Sequence, residues 1–316
     1  MFNNVQLKVV SWIVLVAPVL ILSLITTGYS AEAEHMAQES SEVTSSVTGS
    51  QPSESPVEQR LEQEKQVKQT RFSILPHRPN YLLPFTYSFS PNRDAYANLI
   101  NGEEYEKVEM KFQLSIKIPL WENMILNNGT LYLAYSQLAF WQAYNSRSSA
   151  PFREINYEPE LFVAFETGFS FLGIKSQLIT LGYNHHSNGQ SQPLSRSWNR
   201  IVMNFILNKG NTSVVVRPWY RIPEGRDDDN PDILTYYGYG ELLIVQKIKE
   251  HTVSLMLRNN FRTSGNKGAM QLDWSFPLHP KLKGYVQYFN GYGESLVDYN
   301  HANNRFGVGI MITDWL

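Results

Sequence analysis

A histidine, a serine and an asparagine stand where each could serve the others. His185 and Ser187 lie two residues apart in Tyr183-Asn184-His185-His186-Ser187-Asn188-Gly189, and Asn199 follows in Ser195-Arg196-Ser197-Trp198-Asn199-Arg200. A serine hydroxyl is a weak nucleophile until a neighbouring imidazole takes its proton, and a third group bonded to the opposite ring nitrogen fixes tautomer and orientation. An Asn carbonyl can fill that third place. It stabilises an imidazolium less than a carboxylate would, but it adds no charge. A bare His-x-Ser pair is commonplace, so the grouping gains weight only if the elements bring Asn199 back to it.

Side-chain parity does so. Ile179, Leu181 and Tyr183 share one side of an extended chain, and the same parity continues through His185 and Ser187. On the returning segment Leu207, Phe205, Met203 and Ile201 share a side that runs back to Asn199. Strand, tight connection and strand therefore place three polar residues at the ends of two apolar stripes. His186 has the opposite parity and reads as lumen- or loop-facing; without a third ligand nearby, a His185-His186 metal site is not expected.

The alternation extends from about Arg71 to the last residue. Met110, Phe112, Leu114, Ile116 and Ile118 alternate with Lys111, Gln113, Ser115 and Lys117, and Met270, Leu272, Trp274 and Phe276 alternate with Gln271, Asp273 and Ser275. Turn signals such as Asn208-Lys209-Gly210-Asn211 and His279-Pro280 divide strands of roughly nine to eleven residues, the length a tilted strand needs to cross hydrocarbon. Soluble sandwich strands are nearer five or six. The pattern predicts an all-β fold, an antiparallel transmembrane β-barrel with a polar lumen and roughly ten to fourteen strands. A lipocalin-like barrel or a sandwich is the alternative that alternation alone leaves open. In a transmembrane barrel the apolar stripes face lipid, and His185, Ser187 and Asn199 sit on the outer wall near its rim. Unpaired polar groups there cost free energy.

Composition narrows the classes. The 316 residues contain no cysteine, which excludes disulfides, thiolate metal sites and cysteine nucleophiles. With 27 Lys+Arg against 29 Asp+Glu, a net charge of −2 argues against a nucleic-acid partner. Charged residues are 18% and aromatics 13%, an aromatic-rich and charge-poor mixture that suits a lipid-facing barrel. Lys8, the apolar run from Val9 to Ile25 and Ala31-Glu32-Ala33 predict a signal peptide over residues 1–33, with a single transmembrane anchor as the rival reading. Residues 34–70 are rich in Ser, Glu and Gln, with seven Glu against three basic residues, and predict a disordered or loosely helical lead-in. The barrel domain is expected over 71–316.

The paired central motif, Tyr183–Gly189 with Ser195–Arg200, resembles the outer membrane phospholipase A family of Gram-negative bacteria. The likeness extends to Pro151–Phe162, Asp228–Ile233 and Gly291–Asn300. The resemblance implies a twelve-stranded barrel in the outer membrane that hydrolyses the sn-1 and sn-2 acyl esters of phospholipids and lysophospholipids. By motif match Ser187 is the nucleophile, His185 the general base and then acid, Asn199 the orienting residue, and the Gly189 N–H an oxyanion donor. The family depends on calcium and is active as a homodimer. Ser195 matches a calcium ligand, as does Gln190 through its main-chain carbonyl, where better-known relatives carry Arg. Ser149 matches the ligand given by the partner subunit, and Asp229 an acidic calcium-loop position, with Asp227 and Asp228 as alternatives. Gln137 matches a polar residue buried at the dimer interface. It shares parity with Leu131, Leu133 and Tyr135, unless a bulge turns it to the lumen. A passive porin-like channel without hydrolase activity remains the rival function.

Overall fold

Alternating residues become opposite sides of a wall once neighbouring strands share ladder hydrogen bonds. A computed structural model describes residues 55–68, 73–96, 105–125, 127–225 and 228–314, all within the unit Ser55–Leu316. The expected signal peptide lies outside the described residues.

Twelve antiparallel strands close on themselves. In chain order they are β1 (Asn80–Ser88), β2 (Val108–Trp121), β3 (Thr130–Trp141), β4 (Phe152–Glu166), β5 (Ile174–Ser187) and β6 (Ser197–Lys209). The circuit continues with β7 (Thr212–Ile222), β8 (Gly240–Ile248), β9 (His251–Asn259), β10 (Gly268–His279), β11 (Leu282–Tyr292) and β12 (Ala302–Thr313). Each pairs with the next, and β12 returns to β1 through partners such as Phe306 with Tyr87. Closure leaves none of these strands an unpaired edge. The expected strand range thus settles at twelve, and the sandwich alternative falls.

The wall is apolar outside and polar inside. Leu114, Leu133, Leu181, Leu272 and Phe306 are exposed, whereas Lys111, Ser115, Asp273 and Arg305 are buried. The short-turn end carries tight hairpins. Between β6 and β7 only Gly210 and Asn211 intervene, and Gly210 takes φ 55°, the positive value a type II′ hairpin requires at its first central position.

All the long loops lie at the other end, where β5 finishes and β6 begins. Two of them fold into the lumen. Trp198 and Trp219 on the wall pack with Ile233 and Tyr237, from a short helix (Ile233–Tyr237) after β7, and with Leu296 and Tyr299 after β11. The lumen is therefore not uniformly polar as expected: its long-loop end is stopped by an apolar cluster.

Of the two states expected for the lead-in, disordered or loosely helical, its last part takes the helical one. Pro56–Lys68 forms a helix, α1. Its start is a capping box: the Ser55 N–H donates to Glu58 Oε2 at 2.8 Å, and the Glu58 N–H donates to Ser55 Oγ at 3.3 Å. The helix buries Pro56 and Val57, and its further anchors are polar. Glu64 pairs with Lys117 at 2.8 Å, Lys65 with Glu166 at 3.0 Å, and Glu58 with Lys175, all at the short-turn end of the barrel. The Lys175 ammonium and the Ser55 N–H hold the Glu58 carboxyl down at about 2.

Candidate active site

The β5–β6 ladder sets His185 directly opposite Asn199, Ser187 opposite Ser197, and Tyr183 opposite Ile201. Tyr183 and Ile201 are exposed on the outer wall, whereas Asn184 and Arg200, one residue away on the same strands, are buried in the lumen. His185, Ser187 and Asn199 continue the outward rows and are half-buried. The parity expectation holds for all three. His186 turns the other way, as expected, and its Nδ1 accepts from Trp198 Nε1 at 3.2 Å.

His185 Nδ1 lies 2.8 Å from Asn199 Oδ1. A carbonyl oxygen can only accept, so the proton resides on Nδ1 and leaves Nε2 with its lone pair. That is the tautomer a general base needs. Ser187 shares the row two residues along β5; no hydrogen bond joins its side chain to His185 in this structure. Catalytic bonds in resting hydrolases are often long and shorten with substrate present. Asn199 is further engaged: the Tyr183 hydroxyl also donates to Oδ1, and Nδ2 donates to Glu224 Oε1 at 3.0 Å. Sequence reasoning gave Tyr183 only an apolar role on its stripe and gave Glu224 none.

The connection between β5 and β6 is fixed by Asn188. Its backbone N–H donates to Arg196 O at 3.1 Å, and its Oδ1 accepts from the Arg196 N–H at 3.0 Å. Its Nδ2 donates to Leu194 O at 2.8 Å. This was legible only as a turn residue, since Asn and Gly both favour such positions. Gly189 follows with φ 63°, and a Cβ there would meet the Tyr157 ring at 3.2 Å. Tyr157 itself pairs with Ser187 across β4–β5, so one aromatic ring flanks both the serine and the expected oxyanion donor.

The expected calcium residues are partly brought together. Ser195 Oγ donates to Asp229 Oδ2 at 2.5 Å, and Gln192 Nε2 donates to Asp229 Oδ1. Asp228 instead pairs with Arg221 at 2.7 Å, which separates the two acids: Asp229 faces the catalytic loop and Asp228 does not. Asp227 lies outside the described residues. Gln190 belongs to the same loop, its N–H donating to Asn188 Oδ1 at 3.3 Å. Ser149 caps a short turn between β3 and β4, its N–H donating to Ser146 O, and touches none of these. Among the described residues no group of three His, Cys, Asp or Glu could hold a metal. A site here must draw on hydroxyl and carbonyl oxygens beside the single Asp229 carboxylate, a donor set that fits a hard cation such as calcium.

Gln137 stands on the outward side of β3. Tyr132, Ala134 and Ser136 are buried inward, Leu133 is exposed, and the register is unbroken from Thr130 to Phe140. The lumen-facing alternative therefore falls. The Tyr135 hydroxyl donates to Gln137 Oε1 at 3.0 Å.

A family model described as Phospholipase A1 matches residues 57–312. The chain is 42% identical over 243 residues to Phospholipase A1 of Klebsiella pneumoniae, covering 77% of this chain and 83% of that one. Among solved structures, an active-site mutant of outer membrane phospholipase A from Escherichia coli, an asparagine replaced by alanine, matches with a TM-score of 0.74 at 40% identity, over 78% of this chain and 94% of that one. The outer membrane phospholipase dimer of Salmonella typhi with bound calcium matches with a TM-score of 0.75 at 39% identity, over 79% and 96%.

Proposed function

The chain belongs to the phospholipase A1 family, the barrel-forming outer membrane phospholipases, and from that premise we propose that it cleaves phospholipid and lysophospholipid acyl esters at sn-1 and sn-2 with Ser187, His185 and Asn199. It is an ester hydrolase in an outer membrane barrel. Membership of a hydrolase family displaces the passive-channel reading. The observation that carries the residue assignment is the His185–Asn199 bond on the outer wall, one step along the row from Ser187.

In this reading a lipid reaches the row sideways from the bilayer. Ser187 Oγ attacks the acyl carbonyl carbon while its proton passes to His185 Nε2. The tetrahedral intermediate collapses, the glycerol–oxygen bond to the acyl carbon breaks, and His185 protonates the leaving oxygen, leaving an acyl group on Ser187. His185 then takes a proton from water as its oxygen attacks the acyl carbon, and the fatty acid leaves as Ser187 regains its proton. The Gly189 N–H donates to the oxyanion; one such donor contributes on the order of 10²- to 10³-fold in rate. Asn199 holds the imidazole in the productive tautomer throughout.

Gln190, Ser195 and Asp229, with Ser149 from a second copy of the chain, are the oxygen donors that would hold calcium, whose positive charge would lie close to the developing oxyanion. Gln137, an amide on a lipid-facing stripe, gains by bonding its mate in that second copy. Pairing of two barrels would then complete both the cation site and the substrate groove.

Fatty-acid release from phospholipid micelles by purified protein, titrated with calcium and compared with Ser187→Ala, tests the reading. Calcium-dependent release that Ser187→Ala abolishes is the expected result. Retained release in that variant would remove the nucleophile assignment, and equal activity in cross-linked monomers and dimers would remove the dimer switch.

A further inference from the structure

An asparagine amide has two ends of similar shape and opposite chemistry. Only one orientation serves the histidine. If the Asn199 amide turned over, its N–H₂ would face His185 Nδ1, which would have to accept. The ring proton would move to Nε2, and Nε2 could no longer take a proton from Ser187. Something must choose the orientation, and the His185 ring accepts either.

The Tyr183 hydroxyl does not choose, because it can donate or accept. Glu224 does. An ionised carboxylate only accepts, so the side of Asn199 facing Glu224 must be the N–H₂ side. Glu224 Oε1 lies 3.0 Å from Asn199 Nδ2. Its position is set by the ladder: Ile222 at the end of β7 pairs with Asn199 across β6–β7, and Glu224 follows two residues on, in Pro223-Glu224-Gly225. Four polar residues therefore cross three neighbouring strands in one row, Ser187 and His185 on β5, Asn199 on β6 and Glu224 just beyond β7. Within it, Nδ1–H of the ring donates to Oδ1 of the amide, and Nδ2–H of the amide donates to the carboxylate.

We infer that Glu224 is a positioning residue for ester hydrolysis, holding the Asn199 amide with its carbonyl toward His185 so that Nε2 stays free to accept the Ser187 proton. The inference rests on the proposed Ser187, His185 and Asn199 assignment. Glu224 touches no reacting atom and acts through Asn199 alone.

The test is steady-state fatty-acid release by the full chain in calcium-supplied micelles. Folding of each variant is checked by the mobility difference between heated and unheated samples on SDS gels. Glu224→Ala is expected to lower kcat about fivefold to tenfold, the size of one net hydrogen bond, with KM and the half-saturating calcium concentration unchanged. Glu224→Gln can turn either end of its amide toward Asn199, as the Tyr183 hydroxyl can, so it is expected to leave kcat at least about twofold below the parent. Asn199→Ala combined with Glu224→Ala is expected to be no slower than Asn199→Ala alone. Unchanged kcat in Glu224→Ala would overturn the inference. So would an equal further loss on the Asn199→Ala background, a defect confined to KM or calcium, or a Gln variant as fast as the parent. Ser187→Ala, run beside these, separates the two levels: activity retained there removes the underlying assignment, whatever the Glu224 variants do.

Discussion

The two faces of β5 and β6 differ by a single residue step and have opposite designs. Inside, Asn184, Arg200 and Glu158 are buried and saturated. Arg200 Nε and Nη2 donate to Asn184 Oδ1 at 2.9 and 2.6 Å, Arg200 Nη2 donates to Glu158 Oε1 at 2.8 Å, and Asn184 Nδ2 donates to the same oxygen at 2.9 Å. The guanidinium also stacks 4.1 Å from the centre of the Trp198 ring. Outside, His185, Ser187 and Asn199 form a single file of half-exposed groups with one free acceptor at Nε2. The inner network ties β4, β5 and β6 together and stiffens the backbone that both faces share. The outer row inherits that stiffness: Asn199 is engaged by His185, Tyr183 and Glu224, while Ser187 and the Nε2 side of His185 are left to a substrate. Rigidity and reactivity are thus assigned to opposite sides of one wall.

Four changes would break or sharpen this contrast, in decreasing order of effect. His185→Ala should cut turnover about a thousandfold or more and leave thermal stability unchanged, as paired rate assays and melting curves would reveal; a stability loss would mean the outer row is also structural. Arg200→Met removes one of the cations around the buried Glu158, which keeps Arg78 at 2.6 Å, and should cost about 1–3 kcal/mol of stability, read by denaturant unfolding in detergent. A neutral result would show that the inner network is dispensable. The two asparagines give the cleanest pair. Asn199→Ala should slow turnover about tenfold to a hundredfold with little change in stability, whereas Asn184→Ala should lose about 1–3 kcal/mol of stability and keep its activity per folded molecule. Reversal of that pattern would refute the division of labour.

The smallest effect concerns ion pairs at the barrel mouth, of which Lys65–Glu166 and Glu58–Lys175 are more exposed than those in the lumen. Glu58 is held at about 2, below its ordinary 4.5, chiefly by Lys175, and Glu64 is also held low because Lys117 and Arg60 outweigh the opposing effect of its burial. Carboxyls depressed on folding anchor fully above 4.5 and lose that anchoring as the pH falls toward 2. Amide protons of α1 should therefore lose protection between pH 4.5 and 2 while those of β5 keep theirs. Equal retention in both would show that α1 is held by something other than these pairs.

Much of this was legible in sequence because a period of two translates directly into inside and outside. The stripe ending in His185 and Ser187, and the one ending in Asn199, needed only parity and a tight connection. Strand number was less legible: alternation bounded it loosely, and twelve followed from resemblance to a family. What sequence hid were contacts made by chain returning from elsewhere. Glu224 reaches Asn199 because β7 lies beside β6, and no local pattern marks that approach. Helix α1 was read as a disordered or loosely helical lead-in because it lacks an apolar stripe. Its anchors are charges on distant strands, Lys117, Glu166 and Lys175, which only closure of the barrel brings to one mouth. The choice between Asp228 and Asp229 was likewise decided by Arg221, which engages the first and leaves the second facing Ser195.

The central claim is that a serine on the lipid-facing wall carries the acyl group. Rapid acid quenching of the calcium-supplied enzyme during turnover of a phospholipid, followed by peptide mass spectrometry, reads this directly. The account predicts one fatty-acyl group on the peptide containing Ser187, lost when Ser187 is replaced by Ala. An acyl group on any other residue, or rapid product formation in Ser187→Ala, would contradict it.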